Sequence, residues 1–351
     1  MPVSHPSMRA VQLTAWESEP EMRDVPVPQP GPGELLLRVD AVGLCHSDLH
    51  VMDCPPGTLP YSLPMTLGHE VAGTVVEIGD GVDASWLDRL AVVHGVWSCG
   101  ECHNCRRGQE NHCLHLDGRV GCGLGRQGGL AEYVLVPSER QLVAAEGISA
   151  AKLAPLADAG LTAYHAIGLH RAAMTGDSTV MIIGVGGLGH VAVQILQHTT
   201  DAHIVAVDTR EGALELARTH GARTTATSIG KAADQLRLDR GSPLVDVVLD
   251  FVGADGTMAE SAGVLASGGR LVVFGGAGGS MHVAKGRGLP LGWHVSAPFW
   301  GPREDLEAIV DLAQRGLVDA EIEVVRFSEA LDAYQRLREG SVRGRLVVVP
   351  D

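Results

Sequence analysis

A chain of 351 residues is long for a single hydrophobic core, and 45% hydrophobic residues are enough to fill two. Its formal charge of −15 argues against nucleic acid or an anionic membrane surface as a partner. Met1–Ser7 lacks a basic stretch followed by an apolar one, and no apolar run is long enough to span a bilayer, so a cytoplasmic protein is expected.

Met8–Leu13 and Glu34–Val42 read as strands, separated by the Pro-rich segment Val25–Gly33, which has the composition of turn and linker. A further strand, Glu70–Ile78, ends at the turn Gly79-Asp80-Gly81. Ala91–Val93 continues the series, and Leu130–Val136 follows a cysteine-rich stretch. Short strands with irregular turns predict an all-β, barrel-like N-terminal unit.

Chemistry-bearing residues punctuate that unit. Cys45 lies in Gly43-Leu-Cys-His-Ser-Asp-Leu-His50, and His69 lies in Leu67-Gly-His-Glu70. A thiolate and an imidazole together suit Zn²⁺, although a buried cysteine or a satisfied histidine taken singly is usually structural. Cys99, Cys102, Cys105 and Cys113 then fall within one short segment at C-x₂-C-x₂-C-x₇-C spacing. Crowded cysteines in a cytosolic enzyme bind metal more often than they form disulfides. Four thiolates with no place for water make a closed, structural zinc site. An iron–sulfur run would bring the fourth cysteine three residues on and follow it with proline, whereas here the gap is seven and Leu114 follows. His103, His112 and His115 are expected to face solvent. Cys54 and Cys122 read as small apolar fillers.

Ile148–Leu169 is predicted helical, and within it Asp158 is flanked by small and apolar residues. A carboxylate tolerates such a setting if it is paired or binds metal; the alternative is an exposed acid on a short helix.

Thr179–Ile183 is a β-branched, apolar run suited to a buried parallel strand. Gly184, Gly186 and Gly189 follow at G-x-G-x-x-G spacing, and Gly187–Thr199, passing through Leu188, reads as a helix. The first glycine makes a tight turn, the second admits a pyrophosphate to the backbone, and the third lets helix and strand pack closely. The helix N-terminus then offers free N–H groups to phosphate. The spacing alone is weak, but a second strand, Ile204–Val207, ends at Asp208, nineteen residues past Gly189, where a ribose-binding carboxylate belongs. A carboxylate there favours NAD over NADP, a preference that Arg210 slightly weakens. A membrane helix over Val180–Leu196 fails because four glycines, His190 and Gln194 interrupt it. The α/β alternation continues through Glu211–Thr219, Val245–Asp250, Asp255–Ala266 and Leu271–Phe274. Val295–Phe299 is predicted as the last strand of this series. Helices Arg303–Arg315 and Ser328–Arg338 and a closing strand Arg345–Val349 complete the chain.

With Cys45, Gly68-His-Glu70, the four-cysteine lobe, Asp158 and the Gly184–Asp208 unit in that order, the chain resembles the zinc-dependent medium-chain alcohol dehydrogenases over nearly its whole length. It looks most like the bacterial NAD-dependent secondary-alcohol dehydrogenases, through its Asp-Ala-Gly-Leu-Thr segment. The resemblance implies an α/β architecture: a GroES-like catalytic barrel over 1–155, an inserted Rossmann domain over 156–298, and a return to the catalytic domain over 299–351. It implies a catalytic zinc on Cys45, His69 and Asp158, with Glu70 as a nearby acid or exchangeable ligand. Asp48 would orient His69, and Arg345 would reach the cofactor pyrophosphate. It further implies hydride transfer from an alcohol to NAD, with the proton leaving through Ser47, the cofactor ribose and His50. A homodimer or homotetramer is expected. The expected substrate is an apolar secondary alcohol or its ketone, received by Trp97, Leu124, Phe299 and Trp300. A primary alcohol or a polyol is the alternative. The usual Gly-Asp-Arg-Val is Leu87-Asp-Arg-Leu90 here, which touches packing rather than chemistry. The segment from Cys113 to Gly129 is short, and His50 stands where some relatives carry an aromatic; both differences bear on substrate preference. A zinc-lacking reductase of the same superfamily is disfavoured by the full ligand set, and a non-catalytic dinucleotide-binding protein by the retention of Ser47.

Overall fold

The structure, a computed structural model, describes residues 6–284 and 289–351. Its chain divides into two compact units. The first comprises Met1–Leu161, Gly301–Gly316 and Ala320–Asp351, and the second comprises Thr162–Trp300 with Leu317–Asp319.

The first unit is built on Leu35–Gly43, a strand that changes partners along its length. Its first half pairs with Tyr133–Val136, its whole length with Glu70–Ile78, and its last residues with Arg345–Val349. Glu70–Ile78 passes the sheet on to Leu90–Val93 and Leu142–Ala144, while Arg345–Val349 passes it to Ile322–Arg326. A smaller sheet of Glu21–Pro26, Ser7–Leu13 and Met65–Thr66 is tied on by the bond from Val11 N–H to the Leu130 carbonyl, 2.8 Å. Leu35, Leu36 and Leu37 are all fully buried, so both faces of this strand end are covered and no alternation shows. The Pro-rich stretch expected to be linker begins inside a strand, because Glu21–Pro26 pairs antiparallel with Ser7–Leu13 as an edge, where proline is tolerated.

Two local departures shape the site. The helix His46–Met52 starts directly after Cys45 and is only seven residues long. The stretch Ile148–Leu169 is not one helix. It is Ala150–Leu153, a 3₁₀ turn Ala154–Ala157, and Ala159–His170, broken at Asp158 with φ −127° and ψ −65°. Pro155 supplies the cause, since it lacks the N–H that a continuous helix needs.

The second unit is a six-stranded parallel sheet in the order Thr224–Ala226, His203–Val207, Thr179–Ile183, Val245–Asp250, Leu265–Val273, His294–Ser296. The strand order reverses between Thr179–Ile183 and Val245–Asp250, which is where open α/β sheets bind ligands. Met181, Ile183, Val205, Val207, Val248 and Leu271 form the core of one face with Ile229 and Leu236 from the helix Ile229–Arg240. The last strand is His294–Ser296 rather than Val295–Phe299, so Phe299 and Trp300 lie in the following loop. Pro298 explains the early end, because it has no N–H for the ladder. No helix among the described residues is long and apolar enough to cross a membrane.

Candidate metal centre and dinucleotide site

Cys45 lies two residues past the end of the strand Leu35–Gly43 and serves as N-cap of His46–Met52. Asp48, in the first turn of that helix, reaches back and accepts the Cys45 N–H at 3.0 Å, a capping arrangement that fixes the cysteine. The other oxygen of the same carboxylate lies 3.0 Å from His69 Nδ1, so one fully buried acid orients two side chains from different elements. Nδ1–H donation to Asp48 leaves Nε2 as the ring's available ligand atom.

Asp158 enters from the break between the 3₁₀ turn and the helix that follows. Its Oδ2 lies 3.4 Å from Cys45 Sγ and 3.7 Å from His69 Nε2. Glu70, fully buried, forms an ion pair with Arg345, whose Nε donates to Glu70 Oε2 at 3.0 Å and whose Nη2 lies 3.4 Å from Asp158 Oδ2. Glycine at 43 is required by this acid, since a Cβ there would stand 2.0 Å from Glu70 Oε2. At Gly68, φ is +87° and a Cβ would meet the Leu130 nitrogen at 2.9 Å, so glycine alone sets His69 in place.

The ligand atoms of Cys45, His69, Glu70 and Asp158 all lie within 4.8 Å of one another. A thiol, an imidazole and carboxylates are a zinc donor set. Burial pushes the Cys45 thiol up, but Arg345 and His69 outweigh it and hold the thiol below its ordinary value. Burial likewise disfavours charge on His69, yet Asp48, Asp158 and Cys45 raise it well above the usual imidazole value. Three carboxylates and a thiol thus face one guanidinium and one imidazole, a balance that a divalent cation completes.

The second cluster lies in the loop Cys99–Cys113. Cys102 Sγ is 3.4 Å and Cys99 Sγ 3.9 Å from Cys105 Sγ, and all four cysteines are free thiols. Backbone N–H groups point at the sulfurs: Cys102 N–H to Cys99 Sγ at 3.3 Å, and Cys99 N–H and His115 N–H to Cys113 Sγ, each at 3.4 Å. Such donors favour thiolate. The Cys99 thiol is lowered to about 7, chiefly by the Glu101 N–H, and that of Cys102 to about 6, chiefly by the Cys105 N–H. Burial raises Cys105 to about 12, so its thiolate needs a metal to form. His103, His112 and His115 are exposed. Cys122 is fully buried, with its thiol at about 12 because of desolvation and its sulfur 3.7 Å from the Gly68 carbonyl. It is a filler.

In the second unit, Gly184 turns the chain with φ +85°. The space at Gly186 is open, its nearest neighbour being Arg210 Nη2 at 3.8 Å from an added Cβ. Gly187 and Leu188 complete the turn, Leu188 acting as N-cap of Gly189–Thr199. Asp208, at the end of His203–Val207, accepts the Val185 N–H at 2.8 Å and so ties the second strand to the glycine turn. It also accepts Arg210 N–H at 2.9 Å, Nε at 3.0 Å and Nη2 at 3.1 Å. Burial raises this carboxyl, but Arg210 and the Val185 N–H hold it below the usual carboxylate range.

The remaining sequence-predicted residues are placed as follows. Ser47 is half-buried with its hydroxyl 3.6 Å from Cys45 Sγ, and His50 is exposed at the other end of the same helix. Trp97 is half-buried and Leu124 buried, both in the first unit. Phe299 is exposed and Trp300 buried, with φ +50°, in the second. Arg345 faces Glu70 and Asp158 from within the strand Arg345–Val349. A separate cavity of about 280 Å³ in the first unit, bordered by Arg9, Arg38, Tyr133, Phe327 and Val348, contains none of these residues.

Comparison with known proteins identifies the family and its fold. Residues 31–146 match the family described as Alcohol dehydrogenase GroES-like domain, and residues 187–315 match Zinc-binding dehydrogenase. A NAD-dependent alcohol dehydrogenase of Sulfolobus acidocaldarius is 34% identical over 348 residues, covering 97% of this chain and 99% of the relative. The alcohol dehydrogenase of Aeropyrum pernix superposes with a TM-score of 0.89 at 32% identity, covering 97% of this chain and all of the other. Acetophenone reductase from Geotrichum candidum, solved with NAD, gives 0.87 at 33% identity, covering 99% and 98%. The barrel-like and dinucleotide-type sheets, the two ligand clusters and these relatives define one class, and the chain belongs to the zinc-dependent medium-chain alcohol dehydrogenase family.

Proposed function

We propose that the protein is an NAD-dependent alcohol oxidoreductase that interconverts an apolar secondary alcohol and its ketone. The observation that supports it most is the convergence of Cys45, His69 and Asp158 within ligand distance of one another, with Asp48 behind two of them. When bound, zinc would supply a Lewis acid that lowers the pKa of an alcohol, and NAD would accept the hydride. Cys45, His69 and Asp158 would hold that metal, and Glu70 stands near enough to exchange with a ligand. Cys99, Cys102, Cys105 and Cys113 would hold a second, structural zinc.

The chain's own residues divide the remaining work. Ser47, beside Cys45, would take the alcohol proton, and exposed His50, at the other end of the same helix, would release it to solvent. The glycine turn at Gly184, Gly186 and Gly189 receives the pyrophosphate, Asp208 receives the ribose hydroxyls, and Arg210 and Arg345 flank the cofactor. Trp97, Leu124, Phe299 and Trp300 provide the apolar surface for the substrate. The similarity to acetophenone reductase, an enzyme named for a ketone, favours a secondary carbinol over a primary one or a polyol. We place the enzyme in the cytoplasm as a homodimer or homotetramer.

Metal analysis tests the assignment. Purified protein should carry about two zincs per chain, and Asp158→Ala should lose one and abolish NAD reduction with simple alcohols. A variant that keeps both metals and full turnover shows that the ligand set is wrong.

A further inference from the structure

Tyr334 lies on the helix Ala330–Arg338, which packs against the helix His46–Met52 that carries Asp48. It is 1% exposed, and its hydroxyl has no hydrogen bond of ordinary geometry among the described residues. A buried hydroxyl in that state is held at a desolvation cost, and a phenylalanine ring would fill the same space without it. Burial, followed by the nearby Asp48 and Cys45, pushes the phenol well above its ordinary value. The helix packed against that of Tyr334 carries the fully buried carboxylate of Asp48, the acceptor that this packing offers the hydroxyl. One oxygen of that carboxylate already meets His69 Nδ1 and the other the Cys45 N–H, but each keeps a second lone-pair direction.

We propose that Tyr334 is a positioning residue for the catalytic metal: its hydroxyl donates to Asp48 and holds that carboxylate aimed at His69. The chain of contacts then runs Tyr334, Asp48, His69, from one helix through a second to the residue that precedes the strand Glu70–Ile78. Without the phenol, the fully buried carboxylate has two donors instead of three. It is then easier to rotate, and His69 Nε2 loses its fixed direction. The inference rests on the zinc reading of the Cys45, His69 and Asp158 cluster.

The test follows release of zinc to the chromophoric chelator 4-(2-pyridylazo)resorcinol. Wild-type holoenzyme should show two phases, and the phase missing from Asp158→Ala belongs to the catalytic metal. Tyr334→Phe, which keeps the ring, should speed that phase roughly tenfold and leave the four-cysteine phase and the thermal midpoint unchanged. In an Asp48→Asn background the same substitution should change the rate by less than about twofold, because its route is already cut. Unaltered release from Tyr334→Phe overturns the proposal. So does an equal acceleration in the Asp48→Asn background, which would mark a packing role. A wild-type protein with only the four-cysteine zinc removes the metal reading itself, and this inference with it.

Discussion

A Cβ built on Gly189 stands 1.9 Å from the carbonyl oxygen of Gly184. That single approach gives the third glycine of the phosphate-binding turn a physical reason. The helix Gly189–Thr199 starts directly against the backbone that ends Thr179–Ile183, and no side chain fits between them. Gly189→Ala should therefore displace the helix N-terminus and destabilise the protein by about 1–3 kcal/mol, as overpacking does. NAD should protect the variant less in thermal unfolding, because the N–H groups that receive the phosphates move with the helix. A midpoint and an NAD shift both equal to wild type would contradict the packing argument.

Asp208 and Arg210 make a second prediction. The carboxylate accepts three bonds from Arg210 and one from Val185 N–H, which keeps the guanidinium folded over it. Asp208→Gly removes the group that repels a 2′-phosphate and frees an arginine that attracts one. The ratio of kcat/KM for NADP to that for NAD should rise by about tenfold or more, the scale of one charge-assisted bond. Steady-state kinetics with both cofactors check this, and a wild-type enzyme already favouring NADP would remove its premise.

His94 supplies a pH prediction. It is 1% exposed, with Nδ1 3.2 Å from the Val96 carbonyl and Nε2 2.9 Å from that of Gly301. Burial lowers its pKa, and the pull of the Gly301 carbonyl toward the imidazolium does not overcome it. The folded protein thus binds fewer protons than the unfolded chain once the pH drops below the ordinary histidine value of about 6.5. Its contribution is fully present above that value and is lost as the pH falls below it, by at most ~1.4 kcal/mol per pH unit. His94→Gln should flatten the dependence of the thermal midpoint between about pH 6.5 and 5. An unchanged slope would assign the acid sensitivity to other groups.

Much of this arrangement was legible in the residues, for identifiable reasons. Strand, glycine turn, helix, strand and acid follow one another locally from Thr179 to Asp208, so spacing alone conveys the unit. The four cysteines share one loop, and the fold adds only the N–H groups that point at them. The catalytic cluster is different, because Cys45, His69 and Asp158 come from three distant segments and meet only in the folded unit. Family resemblance joined them where spacing could not. The break at Asp158 went unread although Pro155 announced it three residues earlier. The helix Ile229–Arg240 is absent from the sequence reading, although Ile229, Ala232, Ala233 and Leu236 fall at helical spacing, Ser228 caps the start, and Gly241 ends it. Tyr334 had no such signal. An aromatic at helical spacing is ordinarily core, and only the neighbouring Asp48 gives its hydroxyl a meaning.

The loop after His294–Ser296 carries the last prediction, which concerns the substrate. Phe299 and Trp300 are tilted neighbours with ring centroids 6.5 Å apart; Phe299 is 38% exposed and Trp300 only 7%. If this pair helps receive the substrate, each added methylene of a 2-alkanol should gain ~1 kcal/mol in kcat/KM until the walls are met. Polyols would leave hydroxyls unpaired against aromatic faces and should be poor substrates. Trp300→Ala should move the optimum toward bulkier alcohols while zinc content stays the same. Its burial sharpens the comparison, because removing a purely structural tryptophan costs about 3–5 kcal/mol of stability. That outcome would leave the order of the alkanol series untouched. A lowered thermal midpoint with an unaltered substrate profile therefore assigns Trp300 to the core, and efficient oxidation of a sorbitol-like polyol rejects the apolar reading outright.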